Sequence, residues 1–139
     1  MNILLINHYA GSLVHGMEYR PYYLAREWVR LGHSVTIAAA SVSHVRTVSP
    51  SIQGFMTREI LDGISYLWLK TPAYDGNGFL RAINIFSFVG QLLLHSNKIA
   101  KTVQPGVVIA SSTYPLDIVA ACAIARRSGA RVIFEVHDL

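Results

Sequence analysis

The chain has 139 residues, of which 52% are hydrophobic and 14% charged, with a net charge of +4. The length fits one domain with its own core. The charged fraction is well below the usual value of about 25%, which predicts that a second domain or a lipid surface covers part of the apolar surface. The basic residues are scattered without interleaved aromatics, which disfavours nucleic acid. The positive charge either suits phosphates or anionic lipid as partners or is simply that of a mildly basic small domain. The single cysteine, Cys122, excludes a disulfide framework and a cysteine metal centre. Together with the lack of signal-peptide features, it predicts a cytoplasmic location.

The first half of the chain predicts a strand, a helix, a strand and a hairpin. The run Ile3-Leu4-Leu5-Ile6 is typical of a strand buried on both faces, and residues 7–16 follow as a loop. Residues 17–31 predict a helix, with Pro21 in its first turn and Gly32 after its end, and residues 34–40 a second strand. Residues 55–61 and 64–69 flank Asp62-Gly63, a pair that favours a type I′ turn, so we expect a β-hairpin there.

The second half predicts a helix over residues 79–103, bent at Gly90, then a strand over 107–110, a helix over 116–127 and a strand over 131–136. The apolar stretch 83–94 is shorter than the roughly 20 residues that span a bilayer, so this helix either packs on the sheet or also touches a membrane surface. The order of elements predicts an α/β, Rossmann-like domain: an open, mostly parallel sheet with helices on both faces and a β-hairpin insertion.

In sheets of this kind, ligands bind beyond the carboxyl ends of the strands. Three segments should therefore meet at one rim: the loop 7–18, the loop 111–115, and His137-Asp138. The first loop has no Gly-Lys-Ser/Thr, because Met17-Glu18 follows Gly16, and no Gly-x-Gly-x-x-Gly, so the usual ATP and NAD loops are excluded. It remains either a glycine loop that presents N–H groups to an anion or a plain tight turn.

Of the six histidines, His8, His15 and His137 fall at the predicted rim, whereas His33, His44 and His95 do not obviously join them. His8 and His15 lack a third ligand at a recognisable spacing, so we expect no metal site. His137 could bind a substrate hydroxyl or move a proton, or it could simply bond to neighbouring backbone at the end of its strand. Asp138 could orient His137 or could form an Asx turn.

Several stretches together resemble the N-terminal domain of the family 4 retaining glycosyltransferases of GT-B fold. The likeness is closest to bacterial enzymes of O-antigen, capsule or exopolysaccharide synthesis, including the L-fucosamine transferases. It covers essentially the whole chain and is carried by Ile3-Leu4-Leu5-Ile6-Asn7-His8-Tyr9, by Gly16-Met17-Glu18-Tyr19-Arg20-Pro21-Tyr22-Tyr23-Leu24-Ala25, by residues 31–37, 81–88 and 111–116, and by Phe134-Glu135-Val136-His137-Asp138-Leu139.

The resemblance implies a site across an interdomain cleft. Gly11, Gly16, Met17 and Glu18 would approach the donor diphosphate, and His137 would lie beside the donor sugar near the reacting centre. The acceptor side would comprise His8, Arg20, Arg81, Asn84, Ser112 and Thr113. The implied reaction is a front-face substitution that needs neither metal nor cofactor, in which a departing phosphate oxygen helps to deprotonate the incoming hydroxyl.

The family's nucleotide-sugar site lies in a C-terminal domain that these 139 residues do not include. We therefore expect residues 1–139 to be the acceptor-side domain of a transferase, inactive alone, whose acceptor is a lipid-linked saccharide at the inner face of the cell membrane. Two alternatives stay open, namely a nucleotide-sugar epimerase of the same architecture and a non-catalytic α/β binding module. A small hydrolase is disfavoured because the chain lacks a Gly-x-Ser-x-Gly elbow.

Overall fold

A computed structural model describes residues 1–76 and 78–137. Its elements, in chain order, are β1 (Asn2–Ile6), α1 (Arg20–Arg30), β2 (Ser34–Ala40), β3 (Met56–Leu61), β4 (Ile64–Leu69), α2 (Phe79–Leu94), α3 (Ser96–Val103), β5 (Val107–Ala110), α4 (Asp117–Ser128) and β6 (Arg131–Phe134).

The strands form one sheet in the order β3-β4-β2-β1-β5-β6, parallel except for β3, which runs antiparallel to β4. Alternate residues of the buried strands feed two cores, one on each face of the sheet. Leu4 and Ile6 pack with Phe88 and Leu92 of α2 and with α3 and α4, whereas Leu5 and its neighbours pack with α1. The predicted Rossmann-like sheet with helices on both faces is therefore confirmed.

The predicted hairpin is also confirmed. Leu61 pairs with Ile64 across the two-residue turn, and both turn residues adopt positive φ, 51° at Asp62 and 78° at Gly63. A type I′ turn requires this backbone, and its twist matches that of the two strands that it joins.

The predicted helices differ from the structure by more than one residue in two places. Residues 17–19 belong to the preceding loop, because backbone hydrogen bonds tie Glu18 to Tyr9 and Gly11. The predicted helix 79–103 is two helices that meet at His95 with a bend of 63°, and Gly90 lies inside unbroken α2. The bend turns α3 back onto the sheet, where Ser96, Ile99 and Ala100 become buried.

β6 stops at Phe134, two residues short of the predicted end, although the Glu135 N–H still binds the Ala110 carbonyl at 2.9 Å. All four of its residues are exposed, and its apolar side chains reach solvent on both faces of the sheet.

Across the described ranges, no individual helix has the length and hydrophobicity needed to cross a membrane. Only the bent pair α2–α3 meets that test, and only when its two helices are taken together.

Candidate functional site

The strand order reverses direction at β1, whose neighbours are β2 on one side and β5 on the other. The loops that leave β1 and β5 separate there and open a crevice at the carboxyl edge of the sheet. The Asn7 side-chain amide spans the crevice floor by donating to the Ser111 carbonyl at 2.9 Å. The N–H of His8 donates to Ser112 Oγ at 3.1 Å. The structure thus brings together the loops that the sequence predicts to meet.

A cleft of about 270 Å³ opens above this point, and we call it the rim cleft. It carries two arginines, two histidines and several hydroxyl or amide groups, with Glu18 as its lining carboxylate. Its lining residues are Asn7, Tyr9, Glu18, Arg20, Pro21, His44, Val45, Arg81, Thr113 and His137. Such a surface suits a ligand that combines hydroxyl groups with negative charge.

One wall of the rim cleft is built by Arg81 at the start of α2. Its guanidinium lies over the Tyr9 ring, 5.6 Å from the centroid, and donates to the Tyr9 hydroxyl at 3.1 Å. His44 stands edge-on to Tyr9 and is held by Tyr74, whose hydroxyl is 2.8 Å from His44 Nδ1. Partial burial and, to a smaller extent, the nearby Arg81 lower the pKa of His44, which disfavours a second positive charge beside the arginine.

The opposite wall is a chain of polar side chains that ends at His137. Arg20, the first residue of α1, forms an ion pair with Glu135, and Ser111 Oγ donates to Glu135 Oε2 at 2.6 Å. Nε2 of His137 lies 2.7 Å from the Ser111 carbonyl oxygen. Partial burial raises the pKa of Glu135, but the bonds from Arg20 and Ser111 outweigh it, so that pKa is lowered. Asp138, which the sequence offers as a partner of His137, lies outside the described residues.

His8 and Asn84 lie beneath the cleft and have no exposed surface. The direct contact with an acceptor that we expect of them from the sequence is therefore not possible in this structure. Tyr114 places its hydroxyl 2.7 Å from His8 Nδ1, and Asn84 Nδ2 donates to the Pro72 carbonyl at 2.8 Å. Burial lowers the pKa of His8 to about 3, although Asn84 opposes the shift. The imidazole is therefore neutral; its contact with Tyr114 joins the loops after β1 and β5, and Asn84 of α2 holds the loop after β4.

The glycine loop is closed on itself by its own backbone. The N–H of Gly11 donates to the Glu18 carbonyl at 2.8 Å, and the N–H of Gly16 donates to the Ser12 carbonyl at 2.8 Å. A Cβ on Gly11 would lie 1.8 Å from the Gly16 carbonyl oxygen, so only glycine fits. Glu18 lines the rim cleft, whereas Gly11 and Gly16 are buried behind it and Met17, although exposed, is not among the lining residues.

Arg46 anchors this loop from beneath, a role that its sequence position does not reveal. Its guanidinium donates to the carbonyls of Ala10 at 2.8 Å and His8 at 3.1 Å, and it lies 4.9 Å from the Trp68 ring centroid. Burial lowers the pKa of Arg46 to about 10, which still leaves it charged at neutral pH. The loop therefore rests on a fixed cation whose hydrogen bonds are made to backbone oxygens.

Within the loop after β5, Thr113 reaches the cleft but Ser112 does not. Ser112 is buried, and its N–H donates to Asp117 Oδ2 at 2.9 Å. Burial raises the pKa of Asp117, although the bonds from Ser112 work against that shift. Ser112 consequently supports the loop from within, and its expected contact with an acceptor is not available in this structure.

Two histidines occupy different places from those expected. His15 is buried against Trp68, with Nδ1 bonded to Ser12 and Nε2 3.4 Å from Glu59 of the hairpin, so it does not join the rim cleft. His44 does line the cleft. The position of His44 shortly after β2 could have indicated this from the sequence, because β2 ends at the same edge of the sheet as β1.

In residues 1–76 and 78–137, no three histidine, cysteine or carboxylate side chains are grouped in a way that could hold a metal ion. A second hollow of about 360 Å³ lies beside the open face of β2, β4 and β3 and is lined by residues such as Asn2, Thr36, Arg58 and Ile99. It contains none of the rim segments, so the rim cleft is the candidate site.

Comparison with known proteins gives a family and a fold. The model of a family described as "Glycosyl transferase 4-like domain" matches residues 15–139. Two crystal structures of the C-terminal domain of a hydrogenase from Pyrococcus furiosus are similar in fold, with TM-scores of 0.59 and 0.58 at 17% and 16% identity. Each match covers 96% of this chain and 89% of that chain, and at this identity it shows the fold alone. No curated protein sequence matches the chain.

Proposed function

The chain belongs to the glycosyl transferase 4-like domain family, and we propose that it is the acceptor-side domain of a glycosyltransferase. Family membership supports a nucleotide-sugar donor and an acceptor as partners in general. The observation that carries the assignment of this domain is the rim cleft, because it lies where the strand order reverses and joins Arg20 and Arg81 to His137. These groups suit an acceptor that carries both hydroxyl groups and phosphate.

In the proposed reaction, the acceptor hydroxyl replaces the diphosphate on the same face of the donor sugar. The protein contributes position and charge, because the departing phosphate oxygen takes the proton. Arg81 stabilises negative charge on the bound substrates, Glu18 and Thr113 contact hydroxyl groups, and His137 lies against the donor sugar. Gly11, Gly16 and Met17 hold the loop that carries Glu18.

The nucleotide part of the donor binds to a further domain in this proposal. The exposure of apolar side chains on both faces of β6 supports it, because strands this apolar are normally covered on both sides. Residues 1–139 alone then lack the donor site, and we expect no sugar transfer from this chain by itself.

The acceptor is proposed to be a lipid-linked saccharide of cell-surface polysaccharide synthesis, met at the inner face of the membrane. α2 supports this choice: its first turn brings Arg81 to the rim cleft, and it exposes Phe79, Ile83 and Phe86. A lipid surface that covers these side chains would hold the end of a lipid-linked substrate near the cleft.

The function is tested by assaying transfer in a longer protein that contains this domain and its donor domain. A panel of nucleotide sugars is offered with a lipid-diphosphate-linked saccharide, and products are identified by mass spectrometry. Formation of an elongated lipid-linked product supports the proposal. Release of an epimerised nucleotide sugar without any transfer would instead support the epimerase and contradict it.

A further inference from the structure

The wall that ends at His137 contains an arrangement that specifies which ring nitrogen carries the proton. Nε2 lies 2.7 Å from the Ser111 carbonyl oxygen, and a carbonyl oxygen only accepts hydrogen bonds. The same nitrogen lies 3.2 Å from Ser111 Oγ and 3.8 Å from Glu135 Oε2. Because Ser111 Oγ donates its own proton to Glu135 at 2.6 Å, it turns a lone pair toward His137. Nε2 therefore faces acceptors.

These acceptors are themselves fixed by the fold. Ser111 is 1% exposed, and its N–H donates to the Ile6 carbonyl at 2.8 Å. Its carbonyl receives Asn7 Nδ2 at 2.9 Å as well as His137, which uses both lone pairs of that oxygen. The Glu135 N–H binds the Ala110 carbonyl at 2.9 Å, and Arg20 holds the Glu135 carboxylate on the side away from Ser111.

We propose that Ser111 and Glu135 are positioning residues that hold neutral His137 in the Nε2–H tautomer, with Nδ1 left as a hydrogen-bond acceptor for a ligand hydroxyl. The proposal rests on the proposed function, since the hydroxyl belongs to the sugar or its acceptor. Arg20 acts one step further away, by fixing Glu135. A histidine fixed in this way favours a ligand hydroxyl that donates to Nδ1. A carbonyl or ether oxygen at the same place would face the Nδ1 lone pair and form no hydrogen bond with it.

The test is nuclear magnetic resonance of the uniformly ¹⁵N-labelled 139-residue chain, using long-range ¹H–¹⁵N correlations that distinguish the two neutral tautomers. At a pH where His137 is neutral, the wild type should show the Nε2–H tautomer alone. Glu135→Ala removes the acceptor for Ser111 Oγ, so that this hydroxyl can donate to Nε2 while the Ser111 carbonyl still accepts from it, and the Nδ1–H tautomer should appear in exchange with Nε2–H. Glu135→Gln retains an acceptor oxygen and should restore the single tautomer.

Glu27→Ala is the matched control, because Glu27 also pairs with an arginine, Arg30, but lies far from this wall on the exposed side of α1. Backbone amide spectra of all variants report whether the fold is retained. A wild type with Nδ1–H or with mixed tautomers would overturn the proposal, and a single Nε2–H tautomer that survives in Glu135→Ala would overturn the role of Glu135. The measurement involves no sugar transfer, so a failure of the proposed function would appear separately in the transfer assay.

Discussion

A buried neutral imidazole holds together the loops beneath the rim cleft. His8 has no exposed surface, and its burial lowers its pKa from 6.5 to about 3. The unfolded chain binds the corresponding proton near pH 6.5, whereas the folded protein binds it only in strong acid. Stability is therefore lost as the pH falls through this window, because protonation favours the unfolded state.

We expect the His8 contribution to the free energy of unfolding to fall by about 1.4 kcal/mol for each pH unit below 6.5. Chemical denaturation at pH 7 and pH 5 measures it in the wild type, in His8→Asn and in the matched control His33→Asn. Wild type and His33→Asn should lose stability in parallel, and His8→Asn should lose about 2 kcal/mol less. Equal losses in all three proteins would contradict a buried neutral His8.

Gly11 is the position in the glycine loop that leaves no room for a side chain. A Cβ there would meet the Gly16 carbonyl oxygen at 1.8 Å and the Met17 carbonyl carbon at 2.6 Å. We expect Gly11→Ala to lower the free energy of unfolding by about 3 kcal/mol or more, since backbone rather than a flexible side chain must move. Urea denaturation measures it, and a cost below about 1 kcal/mol would show that the loop is loosely packed.

At the scale of elements, the bend between α2 and α3 belongs to His95 and not to Gly90. Nδ1 of His95 donates to the Gln91 carbonyl at 2.9 Å, and the His95 N–H donates to the same oxygen at 2.9 Å. These bonds close the last turn of α2, and α3 then turns by 63°. Gly90 lies in regular helix on the exposed side of α2.

Gly90→Ala should accordingly stabilise the protein by about 0.5–1 kcal/mol, because alanine loses less backbone entropy in a helix and no atom lies within 4 Å of the added Cβ. Thermal denaturation followed by circular dichroism measures the change. A variant that is destabilised would indicate that Gly90 serves the bend after all.

The elements themselves follow from local sequence signals. Apolar runs predict the strands, and Asp62-Gly63 predicts the hairpin turn, because these signals act over a few residues. The break at His95 was not predictable in this way. It depends on α3 packing against the sheet and α4, a contact between residues that are distant in the chain.

The location of the candidate site was predictable from the sequence, but the side chains that line it were not. The fold rule brings the loops after β1 and β5 and His137 to one edge, and the structure places them there. The rule does not say which side chains turn inward. His8, Asn84 and Ser112 are buried, whereas His44 reaches the cleft, because packing against Phe88, Tyr9 and Tyr114 decides the side-chain directions.

At the scale of the whole molecule, one group of exposed apolar side chains lies on the outer side of α2, apart from those on β6. Phe79 is 80% exposed and Phe86 64%, and exposed basic residues lie on the neighbouring helices at Lys98, Lys101 and Arg126. The combination of apolar and basic side chains on adjoining helices suits an anionic lipid surface beside the rim cleft.

We expect the chain to float with vesicles that contain anionic lipid and to float less with neutral vesicles. Phe86→Ser should weaken binding to the anionic vesicles by about tenfold, since burial of a phenylalanine side chain contributes about 1.5–3 kcal/mol. Phe55→Ser is the matched control, because Phe55 is equally exposed, at 64%, but lies next to the hairpin. Equal weakening by both substitutions, or no binding at all, would contradict membrane contact through α2.

In the proposed function, a sugar is transferred at the rim cleft. The most direct measurement is the transfer rate of a protein that contains this domain and its donor domain, compared between wild type, His137→Ala, Arg81→Ala and the distant control His33→Ala. We predict transfer by the wild type and the control, and a loss of kcat/KM on the order of 10²-fold in His137→Ala and Arg81→Ala, with the fold retained. Wild-type rates in both cleft variants would contradict the account.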